Sequence, residues 1–301
     1  MVARREDEDV QKDKLSRGDV VLNGGLYFVM RKHFLSSSSF ALATDQAEYE
    51  TLQDQSFDTA FVRRDAKVFT PDLWGQLLWK DLRLEVEAAF VLGSIRNTQY
   101  GTFTDQNLKI RQFGFALESE YRALQKKLGI YFNTGLATGD EDVVGMSVRD
   151  DTVSQSTRAN KLTNFSFHPN YRVDLILFRN ILGHVSGAYY FKPGVSYDLI
   201  HNPFGQTLGA RFDMIYSRAS QKAQSYGLNS NLGLELNTAL YYRSEDGPSF
   251  TDGFFIQFQY GILFPLAGLK YNDARSYDGF QPENFKVSKA QTLRLLMGVE
   301  F

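Results

Sequence analysis

AQTLRLLMGVEF, residues 290–301, is the stretch on which the fold turns. Taken at every second position it divides cleanly. Gln291, Leu293, Leu295, Met297, Val299 and Phe301 fall on one side; Thr292, Arg294, Leu296, Gly298 and Glu300 fall on the other. A strand repeats with period two, so this is an apolar face set against a mixed polar one. An edge strand of a soluble β-sandwich would alternate in the same way. So would the closing strand of a transmembrane barrel, apolar toward lipid and polar toward the lumen. One strand does not separate these readings; the length and repetition of the others does.

The upstream chain repeats the pattern. Strands are expected at residues 19–32, 66–80, 82–94, 108–122, 128–138, 184–200, 208–217, 228–243 and 254–264, with 290–301 the tenth. A further hairpin at 40–44 and 57–62 would make twelve. Many of these runs reach ten residues or more, against a mode of about five or six in globular sheets. A tilted strand needs about 9–11 residues to cross the hydrocarbon. Large apolar residues recur on one face of nearly every strand, more than the interior of a closed soluble barrel holds. Pointed outward they need an apolar solvent, and in that solvent every sheet edge must be bonded. The expected fold is therefore all-β, a closed antiparallel transmembrane barrel of 10–12 strands over residues 19–301. Residues 1–18 form a charged lead-in, read as solvated and partly disordered. Trp74 and Trp79 are expected at a strand end, where an interfacial aromatic girdle would sit.

The opposite faces carry both charge signs. Arg83, Glu85, Glu87, Glu118, Glu120, Arg122, Lys192, Asp198, Arg211, Asp213, Glu235, Arg294 and Glu300 are the candidate lumen-lining residues. Inside a barrel they can pair, or line a wet bore. Strand parity orders the connections. Short turns at Lys80-Asp81, Lys126-Lys127, 201–205 and 244–249 would share the periplasmic side, and the long stretches 34–64, 139–183 and 265–289 the outer side. This holds only if 171–182 does not cross. A short helix is expected there, in an outer loop or folded into the lumen, with Pro169 at its start and Gly183 at its end.

Composition narrows the rest. The chain has 301 residues, a formal net charge of -2 and no cysteine. Disulfides and thiolate chemistry are excluded. There is no basic run with interleaved aromatics, so no nucleic-acid partner is expected. No stretch approaches the roughly 18 apolar residues of a membrane helix. No Gly-rich phosphate loop opens a helix, and His33, His168, His184 and His201 are too scattered for a metal site, so no cofactor is expected. Asp140, Glu141, Asp142, Asp150 and Asp151 lack calcium-loop spacing and read as a solvated loop.

Phe301 after alternating apolar residues resembles the C-terminal signature of bacterial outer-membrane proteins. That implies residence in the outer membrane of a Gram-negative bacterium, contact with its lipid, and insertion by the barrel-assembly machinery. TPDLWGQLLW (70–79), FHPNYRVDLILFR (167–179) and FFIQFQYGILFP (254–265) resemble an uncharacterised family of outer-membrane barrels from myxobacteria and relatives, distantly similar to alginate-export porins. The resemblance spans most of the chain and carries no catalytic residues.

Two functions follow. The first is a porin-like channel for small polar solutes, or a barrel plugged by its own charge pairs. A bore of ten to twelve strands lies between filled eight-stranded barrels and open sixteen-stranded porins. The second is a barrel lipid hydrolase using His184 and Ser186, which share a strand face at the His-x-Ser spacing. A lipid hydrolase needs its nucleophile on the lipid side, and these two fall with Lys192, Ser196 and Asp198 on the other. The expected protein is not an enzyme.

Overall fold

The structure, a computed structural model, describes residues 2–37, 61–96, 107–142, 145–146, 161–201, 205–244, 253–270 and 288–299. Ten long strands run as an antiparallel meander: β2 (Val20–Ser37), β3 (Phe61–Trp79), β4 (Leu82–Ile95), β5 (Leu108–Ala123), β6 (Leu128–Ala137), β8 (Ala188–His201), β9 (Gln206–Ala219), β10 (Asn231–Ser244), β11 (Phe254–Pro265) and β12 (Ala290–Val299). Two short strands join them. β1 (Val2–Arg4) lies on β2 opposite Gly24–Leu26, and β7 (Lys161–Leu162) runs parallel to the start of β5. The sheet order is β1-β2-β3-β4-β5-β6-β8-β9-β10-β11-β12, with β7 off that path. Among the described residues β12 pairs only with β11, so hydrogen bonds do not close the sheet. The ten long strands match the expected count; closure does not follow from the pairing.

The alternation read from the sequence is the alternation of exposure. On β12, Leu293 is 65% exposed and Met297 61%, while Arg294 and Leu296 between them are half-buried. Leu22, Leu26, Phe28 and Met30 on β2 are exposed too, as are Val86, Phe90 and Leu92 on β4 and Phe191, Val195 and Tyr197 on β8. One face of the sheet is therefore a wide apolar surface, of a kind soluble monomers rarely expose. No described helix is long and apolar enough to cross a membrane, which says nothing of strands.

The first departure is at the N-terminus. Residues 1–18, read as partly disordered, contain α1 (Glu8–Arg17), ended by Gly18 in the left-handed region at φ 83 and buried nowhere along its length. Acidic Glu8 and Asp9 open it and Lys14 and Arg17 close it, the order the helix dipole favours. The second is at β8, which begins at Ala188, four residues after the expected start. The third is Trp74, whose Nε1 donates to Glu85 at 2.8 Å on the polar face; Trp79 is exposed at the end of β3, where a girdle residue belongs. Residues 61–62 extend β3 rather than a separate hairpin; 40–44 and 57–60 lie outside the described residues.

The main buried cluster is made by the connection between β6 and β8. Val173, Leu175, Ile176, Leu177, Phe178, Leu182 and Val185 pack with Tyr190, Ile215, Leu232 and Leu263 of β8 to β11. The helix expected near 170–182 is a single π-helical turn, Leu177–Ile181.

Candidate functional site

Residues 163–187 fold back onto the polar face, and a charged strand residue holds them there. Glu235 on β10 is only 1% exposed. Its carboxylate accepts the backbone N–H groups of Leu175 at 2.9 Å, Ile176 at 3.0 Å and Leu177 at 3.0 Å. Three donors converge because the backbone turns sharply ahead of the π turn, where N–H groups have no partner in the chain's own ladder. Asp174 covers the next two. Its carboxylate takes Phe178 N at 2.9 Å and Arg179 N at 3.1 Å. Burial first, and the neighbouring Glu235 second, push the Asp174 carboxyl up to about 8.

Residues of three further strands complete the anchorage. Lys192 Nζ on β8 donates to Val173 O at 2.7 Å. Tyr171 Oη is 2.7 Å from Tyr190 Oη of β8 and donates to Glu118 of β5 at 3.3 Å. Burial pushes the Tyr171 phenol up to about 12, so it stays a neutral donor. Leu175 sits over Gly261 of β11, where an added Cβ would come within 3.2 Å of its own.

Outside the loop's footprint much of the polar face is paired. Glu85 accepts from Trp74, Gln76 and Arg83. Arg122 pairs with Glu120 at 2.5 Å and reaches Asp198 at 3.6 Å. Asp198 also accepts the Tyr241 hydroxyl. Arg211 holds both oxygens of Asp213 and stacks over the Tyr131 ring at 4.0 Å. Glu87 is exposed beside Asp72. Arg294 has no carboxylate within ion-pair distance among the described residues, and Glu300 lies outside them. Of the thirteen residues singled out from sequence, Glu118, Lys192 and Glu235 meet the loop directly.

Between the loop and β8 to β11 lies a cavity of about 270 Å³. Arg172 and Arg179 of the loop, Lys192, Arg211, Asn237 and Gln259 stand in its wall. The sequence reading passed over Arg172, Arg179, Asn237 and Gln259. The two arginines sit in a connection rather than on a strand face. The two amides carry no charge to draw notice.

His184 and Ser186 are not brought together as a catalytic pair. Ser186 is 3% exposed and precedes β8. Its hydroxyl is met by Ser166 at 2.8 Å and Asn164 at 2.9 Å. His184 Nδ1 is buried with no partner among the described residues, and burial holds its imidazole below the ordinary histidine range. Asp140 is a structural tie, accepting Thr163 N at 2.7 Å and Asp142 N at 3.0 Å, while its own N–H goes to buried Gln224. Asp150 and Asp151 lie outside the described residues. No group of three or more His, Asp or Glu suited to a metal occurs among the described residues.

No family model matches the chain, and no curated protein does. Among solved structures it is similar to Pseudomonas aeruginosa OccK3 (OpdO), with a TM-score of 0.35 and 11% identity, over 98% of this chain. The chain spans 66% of that protein's length. A superposition this loose carries no argument about function, and the likeness to a myxobacterial barrel family rests on the three stretches alone.

Proposed function

We propose that the chain is an outer-membrane β-barrel whose strands close around a polar lumen, and that residues 163–187 narrow this lumen to a channel for small polar solutes. The observation that carries the reading is the two-sidedness of the sheet. Leu, Phe, Val and Met rows stand exposed on one face, and hydrogen-bonded charges with a folded loop cover the other. Water is a poor solvent for the first face and hydrocarbon a poor solvent for the second. Closure meets the requirement that no strand edge be left bare in lipid. On this reading Arg83, Glu85, Glu87, Glu118, Glu120, Arg122, Lys192, Asp198, Arg211, Asp213, Glu235 and Arg294 face the lumen, insertion depends on the barrel-assembly machinery, and the chain catalyses no reaction.

A second reading is favoured by the anchorage of the loop, which three backbone N–H bonds to Glu235 secure, while two more to its own Asp174 fix the turn. It makes the loop a permanent stopper in a structural barrel. The open cavity beside the loop favours the channel. Purified protein reconstituted into planar bilayers tests this. The channel gives small, reproducible conductance steps; insertion without any step establishes the stopper. Failure to enter bilayers at all overturns both.

A further inference from the structure

The exposed apolar face ends in a row of cations at one end of β2 to β5. Backbone register aligns Lys32 of β2 with Lys67 of β3, Lys67 with Ser94 of β4, Ser94 with Lys109 of β5, and Lys109 with Lys161 of β7. Paired residues share a face of the sheet. Four lysines and a serine therefore form one line across five strands, about 19 Å long at about 4.8 Å per strand. The line lies on the exposed face. All four lysines are exposed, and Ile110, next to Lys109, is buried on the other side.

Immediately inside the line the same face turns apolar. Two residues along each strand stand Met30, Phe69 and Leu92, with Arg111 on β5 as a fifth cation. Phe28 then lies 6.3 Å from Phe69, and Phe90 4.7 Å from Phe113. No acid balances the lysines. None of the four has a carboxylate within ion-pair distance among the described residues, and Asp65, at the same end of β3, is 3.9 Å from Arg96 instead. From the line to the far ends of β2 to β5 this face holds no Asp or Glu. Like charges set directly opposite one another in a sheet repel, and Lys32 faces Lys67. A partner that brings negative charge to the row relieves that repulsion.

The place of the row says what that partner is. Long lysine stems lie along apolar surface and carry their ammonium groups to its polar margin. The row stands at the strand ends opposite the tight turns at Lys80-Asp81 and Lys126-Lys127. With short turns in the periplasm this is the outer rim. An anion that reaches it beside a lipid-covered wall is attached to acyl chains, and basic residues at a membrane surface attract anionic headgroups. A line across five strands spans more than one phosphate.

We infer that this rim is a binding site for a bisphosphorylated glycolipid of the outer leaflet. The four lysines and Arg111 hold its phosphates, and Met30, Phe69 and Leu92 meet its acyl chains. The inference rests on the reading of the apolar face as lipid-facing and names the lipid that face selects.

Native mass spectrometry of the detergent-solubilised full chain tests it, with diphosphoryl lipid A, monophosphoryl lipid A and phosphatidylglycerol as probes. Diphosphoryl lipid A binds. The other two, with one phosphate each, bind about tenfold more weakly or worse, as expected for loss of charge-assisted contacts. The Lys32→Gln/Lys67→Gln/Lys109→Gln protein loses the preference with its far-ultraviolet circular dichroism unchanged. Lys80→Gln/Lys126→Gln/Lys127→Gln, the same change in charge at the opposite rim, keeps it, and so does Lys32→Arg/Lys67→Arg/Lys109→Arg. Should the first variant not fold, the wild-type series decides alone. Equal binding of all three lipids, no binding of diphosphoryl lipid A, or an intact preference in the folded first variant overturns the site. Binding in detergent needs neither insertion nor ion flow. A protein that enters bilayers but shows no preference sinks this inference alone, and one that never enters them sinks the barrel reading on which it rests.

Discussion

Glu235 on β10 accepts the backbone N–H of Leu177 at 3.0 Å, joining a strand residue to a loop residue fifty-eight positions earlier in the chain. Leu175 and Ile176 share the same carboxylate. Glu235→Gln keeps one acceptor oxygen and turns the other position into a donor, which leaves at least one of the three N–H groups bare. Docking of the loop is expected to weaken by about 1–3 kcal/mol, and by more in Glu235→Ala. Hydrogen–deuterium exchange at the amides of 175–177 reads this directly; protection equal to wild type in Glu235→Gln contradicts the anchoring role.

Docking should also depend on pH through Asp174. Its carboxyl is pushed from 3.8 to about 8 by burial and by Glu235, against the pull of Lys192 and of the N–H groups of Phe178 and Arg179. A docked loop thus holds a proton that a free loop has released. The docked state gains from this group at low pH and loses the gain as pH rises toward about 8. Exchange at 174–182, corrected for intrinsic rates, is expected to be faster at about pH 8 than at about pH 5. Asp174→Asn should flatten that difference, and an unchanged slope would remove Asp174 as the cause.

Gly114 on β5 makes room for the Phe165 ring, which an added Cβ would strike. Phe165 stacks edge-on against Phe167 at 5.7 Å, and Phe167 against Tyr171 at 5.1 Å. Gly114→Ala is expected to displace this row and loosen the loop by about 1–3 kcal/mol. Gly75→Ala, where the new methyl would meet Val86 at an ordinary 3.4 Å, is the neutral control. Equal proteolytic resistance of the two variants would show that Gly114 does not make this room.

Closure of the barrel is open to a chemical test, because the chain has no cysteine to interfere. Leu22→Cys on β2, just before the edge positions Gly24–Leu26 that β1 covers, paired in turn with Leu295→Cys, Met297→Cys and Val299→Cys, places thiols on the same exposed face. In the bilayer-reconstituted protein one register is expected to oxidise to a disulfide, which needs Cα atoms about 4.4–6.8 Å apart. No crosslink in any of the three would leave the seam between β2 and β12 unmade.

The strands were legible because period two needs nothing but side-chain polarity. Leu293, Leu295, Met297 and Val299 stand exposed on one face as their spacing says. The loop was legible only in part. Pro169 and Gly183 bracket a helix-like pattern, but the turn that forms is five residues long, and its partner is Glu235, which no local rule connects to it. His184 and Ser186 read as strand neighbours because alternation continues through Val185; the chain instead turns at Gly183 and Gly187, both in the left-handed region. Arg172 and Arg179 could have been noticed as two arginines seven apart with one acid between them. That the two line one cavity depends on the π turn between them and on the strands the loop packs against, and neither is a local sequence signal.

The connection that carries Glu235's partners leaves β6 at Ala137 and rejoins the sheet at Ala188 of β8, and those two strands are themselves paired. It is moored at both ends to adjacent staves. A segment tied at both ends has no way to be expelled like a detachable cork. If ions do pass, the current trace should flicker between neighbouring levels within one open burst rather than jump once and stay wide.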